Sequence, residues 1–329
     1  MSGETMSAKI VLYGPREGML EAYREVAPEG LDLDWVDSGL PLEEAAAQMQ
    51  DTVAVLFGGG PITPDVAAKF PNLRLIQTTS AGTNHLDKTA LGELGIKVAN
   101  NGGGNAISVA EHTIALLVST LRKFQLQFSA VQDRKWAGDI REKWFSQAQE
   151  IAGKTIGIVG LGRIGSRVAR RLQGWECDIV YNDIIDIPKE LEEELHLTRL
   201  SLDELLQTSD IVTLHVPLTT RAHHMMSDRE FDLMKPTAIL INACRGPVVD
   251  EAALIRAMQQ EKIAAAGLDV TEIEPTPEDN PLLDMDNVLI TPHYASFTQE
   301  SGVRSRTFAV ANAARVARGE EPESVVLPD

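Results

Sequence analysis

Three side chains could together handle a carbonyl that lies beside a carboxylate: Arg245 in NACRGPVVD, Glu274 in GLDVTEIEP and His293 in ITPHYAS. Each follows a short apolar run, so each is expected at the carboxyl end of a strand. Reduction of a ketone leaves a developing alkoxide, which needs a proton donor near neutral pH and a fixed cation. Imidazole is the ordinary donor, and a carboxylate beside it favours its charged form. Guanidinium grips a carboxylate through two parallel N–H bonds that lysine cannot reproduce. Taken singly, a histidine after a strand reads as a cap and a glutamate beside proline as a solvated loop residue. Their joint order behind a nucleotide fingerprint gives them meaning.

That fingerprint is Gly160-Leu161-Gly162-Arg163-Ile164-Gly165, which fits G-x-G-x-x-G. The motif alone is weak. Here the apolar run Thr155–Val159 leads into it, helical spacing of Ile164, Val168, Ala169 and Leu172 follows, and Asp183 ends the next strand. Gly160 would make the tight turn, Gly162 would admit a pyrophosphate, and Gly165 would let helix pack on strand. The helix N-terminus and Arg163 would meet the phosphates. Asp183 would accept from a ribose 2′-OH and repel a 2′-phosphate, favouring NAD over NADP, and neither Asn182 nor Asp186 offers the cation NADP would need.

Buried strands must hold these residues. Apolar runs at 9–14, 31–35, 53–57, 73–78 and 96–100 alternate with helical patterns near 17–27 and 42–50. A long helix is expected from Ser108 to about Val131, and behind it runs at 154–160, 177–183, 210–216, 238–243, 264–270 and 287–293 alternate with helices. The pattern predicts an α/β chain with two Rossmann-like doubly wound parallel-sheet domains. Because the fingerprint begins only near residue 155, the first hundred residues form their own domain, and the final helix near 299–318 is expected to return to it, making that domain discontinuous. The expected division is 1–105 with 299–329 as the substrate domain and 106–298 as the NAD-binding domain.

A chain of 329 residues exceeds one ordinary core, and 43% hydrophobic with 24% charged residues is a globular composition. The net charge of −18 disfavours nucleic acid and anionic membrane surfaces as partners. An anionic ligand must then be met by particular arginines or N–H groups. Cys177 and Cys244 are too few for a disulfide framework and lack metal-ligand spacing, which points to no metal and a reducing, cytoplasmic setting. The start, MSGETMSAKI, has no apolar core of a signal, and the apolar stretch 107–121 carries Glu111 and His112, against a membrane span.

The motifs TTSAGTNHLD (78–87), NAISVAEHTIALL (105–117), GIVGLGRIG (157–165), HVPLT (215–219), INACRGPVVDE (241–251), GLDVTEIEP (267–275) and TPH (291–293) occur in an order that resembles the D-2-hydroxyacid dehydrogenase family over most of the chain. The resemblance implies an NAD-dependent oxidoreductase acting on a small 2-hydroxy or 2-keto acid. By it, Arg245 would bind the substrate carboxylate and keto oxygen, His293 would donate the proton, and Glu274 would hold the imidazole. The backbone of Ser80, Ala81 and Gly82 would cradle the carboxylate, with Asn100 on the substrate side. Arg163, Ile164, Asp183 and Pro217 would line the adenosine and pyrophosphate, and Ala243, Arg245 and Asp269 would lie near the nicotinamide. A homodimer through the helix near Ser108 and the elements after it is also implied. His85 and His112 read as packing or loop residues, the pair His223-His224 as diverging side chains, and Cys244 as a small residue under the cofactor.

Phosphoglycerate-using members carry arginine in the loop after the third strand, where this chain reads Phe57-Gly58-Gly59-Gly60-Pro61. A substrate of the glyoxylate or hydroxypyruvate type is therefore expected, with Phe57 lining its pocket, and the lack of an appended regulatory domain reads the same way. Formate-oxidising members carry glutamine where Glu274 stands. The resemblance also covers transcriptional corepressors, so a non-catalytic NAD-sensing interaction protein is the alternative.

Overall fold

The computed structural model describes residues 9–59, 62–136, 138 and 147–328. The chain folds as two units, Met1–Asn105 with Phe297–Asp329, and Ala106–Ser296. The readings made on the first eight residues and on Gly60 and Pro61 lie outside the described residues.

In the first unit, strands β1 (Lys9–Gly14), β2 (Leu33–Asp37), β3 (Thr52–Phe57), β4 (Leu75–Thr78) and β5 (Lys97–Ala99) form a parallel sheet in the order β2-β1-β3-β4-β5. Alternate residues of β1 face opposite sides, and both sides are apolar, as a sheet covered on two faces requires. Val11 and Tyr13 join a core with Val55, Ile76 and Phe70. Ile10 and Leu12 join another with Leu56, Leu75 and the C-terminal helix Gln299–Ala317, which presents Ala309, Val310, Ala313 and Val316. The same helix is tied to β4 by Asn312, whose Nδ2 donates to Gln77 Oε1 at 2.7 Å.

In the second unit, β6 (Thr155–Val159), β7 (Asp178–Asn182), β8 (Leu197–Arg199), β9 (Ile211–Leu214), β10 (Ile239–Asn242), β11 (Ala265–Leu268) and β12 (Val288–Ile290) form a parallel sheet ordered β12-β11-β10-β9-β6-β7-β8. The chain winds one way from β6 to β8 and the other way from β9 to β12. The reversal between β6 and β9 is where a crevice opens at the carboxyl ends of the strands. This is the pair of doubly wound α/β sheets expected from the apolar runs, with a discontinuous first domain.

Two features differ from expectation. β8 is an additional strand, which the apolar runs do not announce because Leu-Thr-Arg contains none and two of its three residues are exposed. The long helix is two, Ala106–Arg122 and Phe124–Gln132, broken at Lys123 with φ 57°. The carbonyl of Leu121 accepts the N–H of Gln149, so the helical ladder yields there to a tertiary contact that periodicity does not encode. Among the described residues, no helix is long and apolar enough to cross a membrane.

His215, one residue beyond β9, is a polar group inside the second unit. Its Nε2 lies 3.0 Å from Thr213 Oγ1, while Nδ1 has no hydrogen-bond partner among the described residues. Burial pushes the imidazole down from 6.5 to about 3. Between those values the unfolded chain binds a proton that the folded chain does not, so this contribution is complete above pH 6.5 and is lost as pH falls. We expect His215→Gln to remove a pH slope of unfolding free energy of up to ~1.4 kcal/mol per pH unit, read from urea midpoints between pH 6.5 and 4.5. Equal slopes in variant and wild type would contradict this.

Candidate active site

β10, β11 and β12 are neighbours in the sheet, and Arg245, Glu274 and His293 follow them in turn. Parallel strands about 4.8 Å apart thus deliver the three residues along one edge. His293 Nδ1 is 2.7 Å from Glu274 Oε2, with the two side chains 42% and 37% exposed. The carboxylate can only accept, so Nδ1 carries the hydrogen. Glu274 is itself steadied, since its Oε1 accepts the Thr271 N–H at 3.2 Å, and Thr271 Oγ1 bonds Ile273 O at 2.9 Å and Thr276 Oγ1 at 2.8 Å.

Arg245 is half-buried, and its Nη1 donates to its neighbour's carbonyl, Cys244 O, at 2.5 Å. The following residue explains how its loop meets that of Glu274: a Cβ on Gly246 would stand 1.8 Å from Thr271 O, so only glycine permits the approach. Among the described residues, Glu274 and His293 are bonded to each other, whereas no hydrogen bond joins Arg245 to either. Behind the two loops, His224 Nε2 meets Glu272 Oε1 at 2.7 Å, and Glu272 and Glu251 each accept the other's backbone N–H, at 3.0 and 2.9 Å. The His223 and His224 rings stack with centroids 3.9 Å apart, correcting the expectation that they diverge; the left-handed backbone of His224, φ 52°, turns it onto its neighbour.

The glycine fingerprint occupies the carboxyl end of β6. Gly160 has φ 91°, and a Cβ on Gly165 would lie 2.1 Å from Gly160 O, whereas one on Gly162 would meet nothing within 4 Å. The helix Gly165–Leu172 that follows has no side-chain cap; its Ser166 N–H is taken by Gly162 O at 3.1 Å, while the Gly165 N–H, without a partner among the described residues, is available to an anion. Asp183, just past β7, is fixed across the loop: Oδ2 accepts Leu161 N–H at 2.7 Å and Oδ1 accepts Ile185 N–H at 3.0 Å. Lone pairs remain on both oxygens for ribose hydroxyls. Ile184 and Ile185, 71% and 67% exposed, form an apolar step beside it suited to an adenine face. Neither is among the residues expected from the sequence, although two isoleucines straight after the strand-ending acid are a signal. Pro217 is exposed beyond β9, and Ala243 and Asp269 are buried at the ends of β10 and β11. These residues suit a dinucleotide.

Two expectations need correction here. A cation does stand near Asp183: Arg199, brought in by β8, donates from Nη2 to Asp183 O at 3.0 Å and from Nη1 to Asp186 Oδ1 at 2.5 Å. The sequence hides it because it hides β8. His112 is more than a packing residue, since its Nε2 lies 3.1 Å from Thr291 Oγ1 and 3.3 Å from Asp269 Oδ1. Cys244 is no nucleophile, because burial pushes its thiol up to about 11. No group of histidine, cysteine and acid residues able to hold a metal occurs among the described residues.

In the first unit, Ser80, Ala81 and Gly82 follow β4. Ser80 Oγ donates to Gly82 O at 2.7 Å and Thr78 Oγ1 to Ser80 O at 3.0 Å. Their own N–H groups have no partner among the described residues. Asn100 braces this loop internally: its Nδ2 donates to Ala81 O at 3.4 Å, and its Oδ1 accepts from Gly102 N at 3.1 Å and Ser324 Oγ at 2.7 Å. Phe57 stacks on His85 with centroids 5.0 Å apart.

Residues 114–295 match the family model described as D-isomer specific 2-hydroxyacid dehydrogenase, NAD binding domain. The chain is 35% identical over 316 residues to a glyoxylate reductase of Korarchaeum cryptofilum, covering 92% of this chain and 94% of that protein. It is 37% identical over 293 residues to a D-3-phosphoglycerate dehydrogenase of Methanocaldococcus jannaschii, covering 88% of this chain. It spans about half the length of such phosphoglycerate dehydrogenases, 55% of that one and 56% of one from Archaeoglobus fulgidus. The structure of a D-lactate dehydrogenase from Aquifex aeolicus complexed with NAD and lactic acid superposes with a TM-score of 0.80 at 31% identity, covering 94% of this chain and 96% of that one. Residues 114–295 thus carry the NAD-binding domain of the D-isomer specific 2-hydroxyacid dehydrogenase family, and the chain belongs to that family.

Proposed function

We propose that this protein moves a hydride between NAD(H) and C2 of a small 2-hydroxy or 2-keto acid, of the glyoxylate or hydroxypyruvate type rather than 3-phosphoglycerate. The observation that supports this best is the His293–Glu274 pair at 2.7 Å on the sheet edge that also carries Arg245. NADH, held at the Gly160–Gly165 turn with Arg163, Ile164, Asp183 and Pro217 around it, supplies the hydride. The protein's own groups do the rest. Arg245 holds the substrate carboxylate and polarises the ketone. His293, with Nδ1–H engaged by Glu274, presents Nε2 and passes a proton to the keto oxygen as C2 is reduced. In the first unit, the N–H groups of Ser80, Ala81 and Gly82 are assigned to the substrate carboxylate. Ala243 and Asp269 belong to the nicotinamide end.

The substrate preference rests on Phe57, which stacks on His85 at the end of β3. A phosphate there would need a fixed cation such as the arginine of phosphoglycerate-using members, and Phe57-Gly58-Gly59 carries none. Relatives named for either substrate stand at similar identity, 35% and 37%, so names do not decide. Nothing in the comparisons supports the corepressor reading. Both cysteines are free, which suits a reducing cytoplasm. Phe128, Val131 and Trp136 are 64%, 55% and 73% exposed on and after the helix Phe124–Gln132, which supports a homodimer through that face.

In steady-state assays with NADH, glyoxylate and hydroxypyruvate are expected to outpace 3-phosphohydroxypyruvate, and His293→Ala to lower kcat by roughly 10²–10⁴-fold. Clear NADH binding with no turnover of any 2-keto acid would point instead to a sensor. Asp183→Ala should weaken NADH binding about tenfold, equivalent to ~1.4 kcal/mol, in fluorescence titrations. Adding Asp186→Asn, which frees Arg199, should narrow the gap to NADPH further; an unaltered cofactor preference in the double variant would clear both acids of the role. Sedimentation velocity should give a dimer for the wild type and a monomer for Phe128→Asp, and dimers for both would exclude that face.

A further inference from the structure

His293 has φ 53°, a left-handed backbone that a non-glycine residue adopts only at a cost. Glu274 orients its ring but does nothing for its backbone. The backbone is held by a different acid. His293 N–H donates to Asp269 O at 2.7 Å and to Thr291 O at 2.9 Å. The Asp269 carboxylate, in a residue 1% exposed, then clasps the chain on both sides of His293. Oδ1 accepts Thr291 Oγ1 at 2.6 Å and the Tyr294 N–H at 2.8 Å, and Oδ2 accepts the Ala295 N–H at 2.9 Å.

A carboxylate so deeply buried is costly unless it is well bonded. Burial alone would push Asp269 up; the hydrogen bonds from His112, Thr291, Ala295 and Tyr294 outweigh it and hold the carboxyl below its usual range. Thr291 has one hydroxyl hydrogen, and at 2.6 Å it goes to Asp269. Thr291 Oγ1 can therefore only accept from His112, so His112 Nε2 must carry a hydrogen, shared between Thr291 Oγ1 and Asp269 Oδ1 at 3.1 and 3.3 Å. His112 is anchored in the helix Ala106–Arg122, 17 residues long, and so links the His293 loop to a rigid element.

We propose that His112 is a positioning residue for the reaction, acting through Thr291 and Asp269 to hold His293 in its left-handed backbone and so aim its imidazole. The proposal rests on the reading of His293 as proton donor. It gives Asp269 a task beyond the nicotinamide end: its oxygens are largely used in shaping the loop.

The test compares His112→Leu, which removes the donor, His112→Gln, which restores an uncharged one, and Thr291→Val, a near-isosteric change that cuts the same link should His112→Leu fold poorly. Misaiming a reacting group is expected to lower kcat roughly 10- to 100-fold in His112→Leu and Thr291→Val. KM and the NADH dissociation constant should stay within about threefold, and His112→Gln should recover most of the rate. The ring 15N shifts of His293 in histidine-labelled protein, assigned by their loss in His293→Ala, should move from a fixed Nδ1–H tautomer toward averaged values in His112→Leu and Thr291→Val. Wild-type kcat and unmoved His293 shifts in both variants, with or without a lowered melting temperature, would overturn the proposal. Failure of the underlying reading shows separately, as full turnover in His293→Ala.

Discussion

The 2.7 Å hydrogen bond from His293 Nδ1 to Glu274 Oε2 joins residues that follow two different strands, and it exists only because those strands end side by side. Parallel strands covered on both faces leave polar chemistry nowhere to go but the sheet's carboxyl edge. In the second unit that edge carries the turn at Gly160–Gly165, Asp183, Arg245, Glu274 and His293. Close approach then does what side-chain bonding alone could not. Gly246 lies against Thr271 O, where any Cβ would intrude, and the loop bearing Glu274 is thereby fixed to the loop bearing Arg245.

A chain with a net charge of −18 must still accept anions. Its far field works against them, so the local arrangement has to prevail at short range. The uncapped helix start at Gly165, the half-buried Arg245 and the N–H groups of Ser80, Ala81 and Gly82 are the short-range features that could do so. Asp183 works the other way: on the proposed reading its negative charge would meet a ribose hydroxyl and disfavour a further phosphate. Arg199 stands by with its charge engaged by Asp186, so on that reading discrimination would depend on an ion pair as well as on a lone acid.

Much of this was legible in the residues. Two-sided burial makes the strands near-continuous apolar runs, which is why twelve-strand α/β topology could be anticipated apart from β8, whose Leu-Thr-Arg carries no such run. The fingerprint and the order Arg245, Glu274, His293 were visible because each stands at a strand end. Pairings between residues distant in sequence were not. The break at Lys123 depends on Gln149, the cation beside Asp183 depends on Arg199, and the hydrogen bonds of His112 depend on residues 269 and 291. No local pattern records such pairings, because each arises from neighbouring strands and helices only after the sheet has formed.

At the centre stands one assignment of roles: the proton passed to the substrate comes from His293 while Arg245 holds the carboxylate. A crystal structure of the protein with NADH and oxamate, an unreactive 2-keto acid analogue, addresses it most directly. The analogue's amide carbonyl oxygen, which stands in for the keto oxygen, is expected within about 2.6–3.2 Å of His293 Nε2, and its carboxylate paired with the Arg245 guanidinium. Oxamate bound with its amide carbonyl oxygen far from His293, or held by other cations, would contradict it.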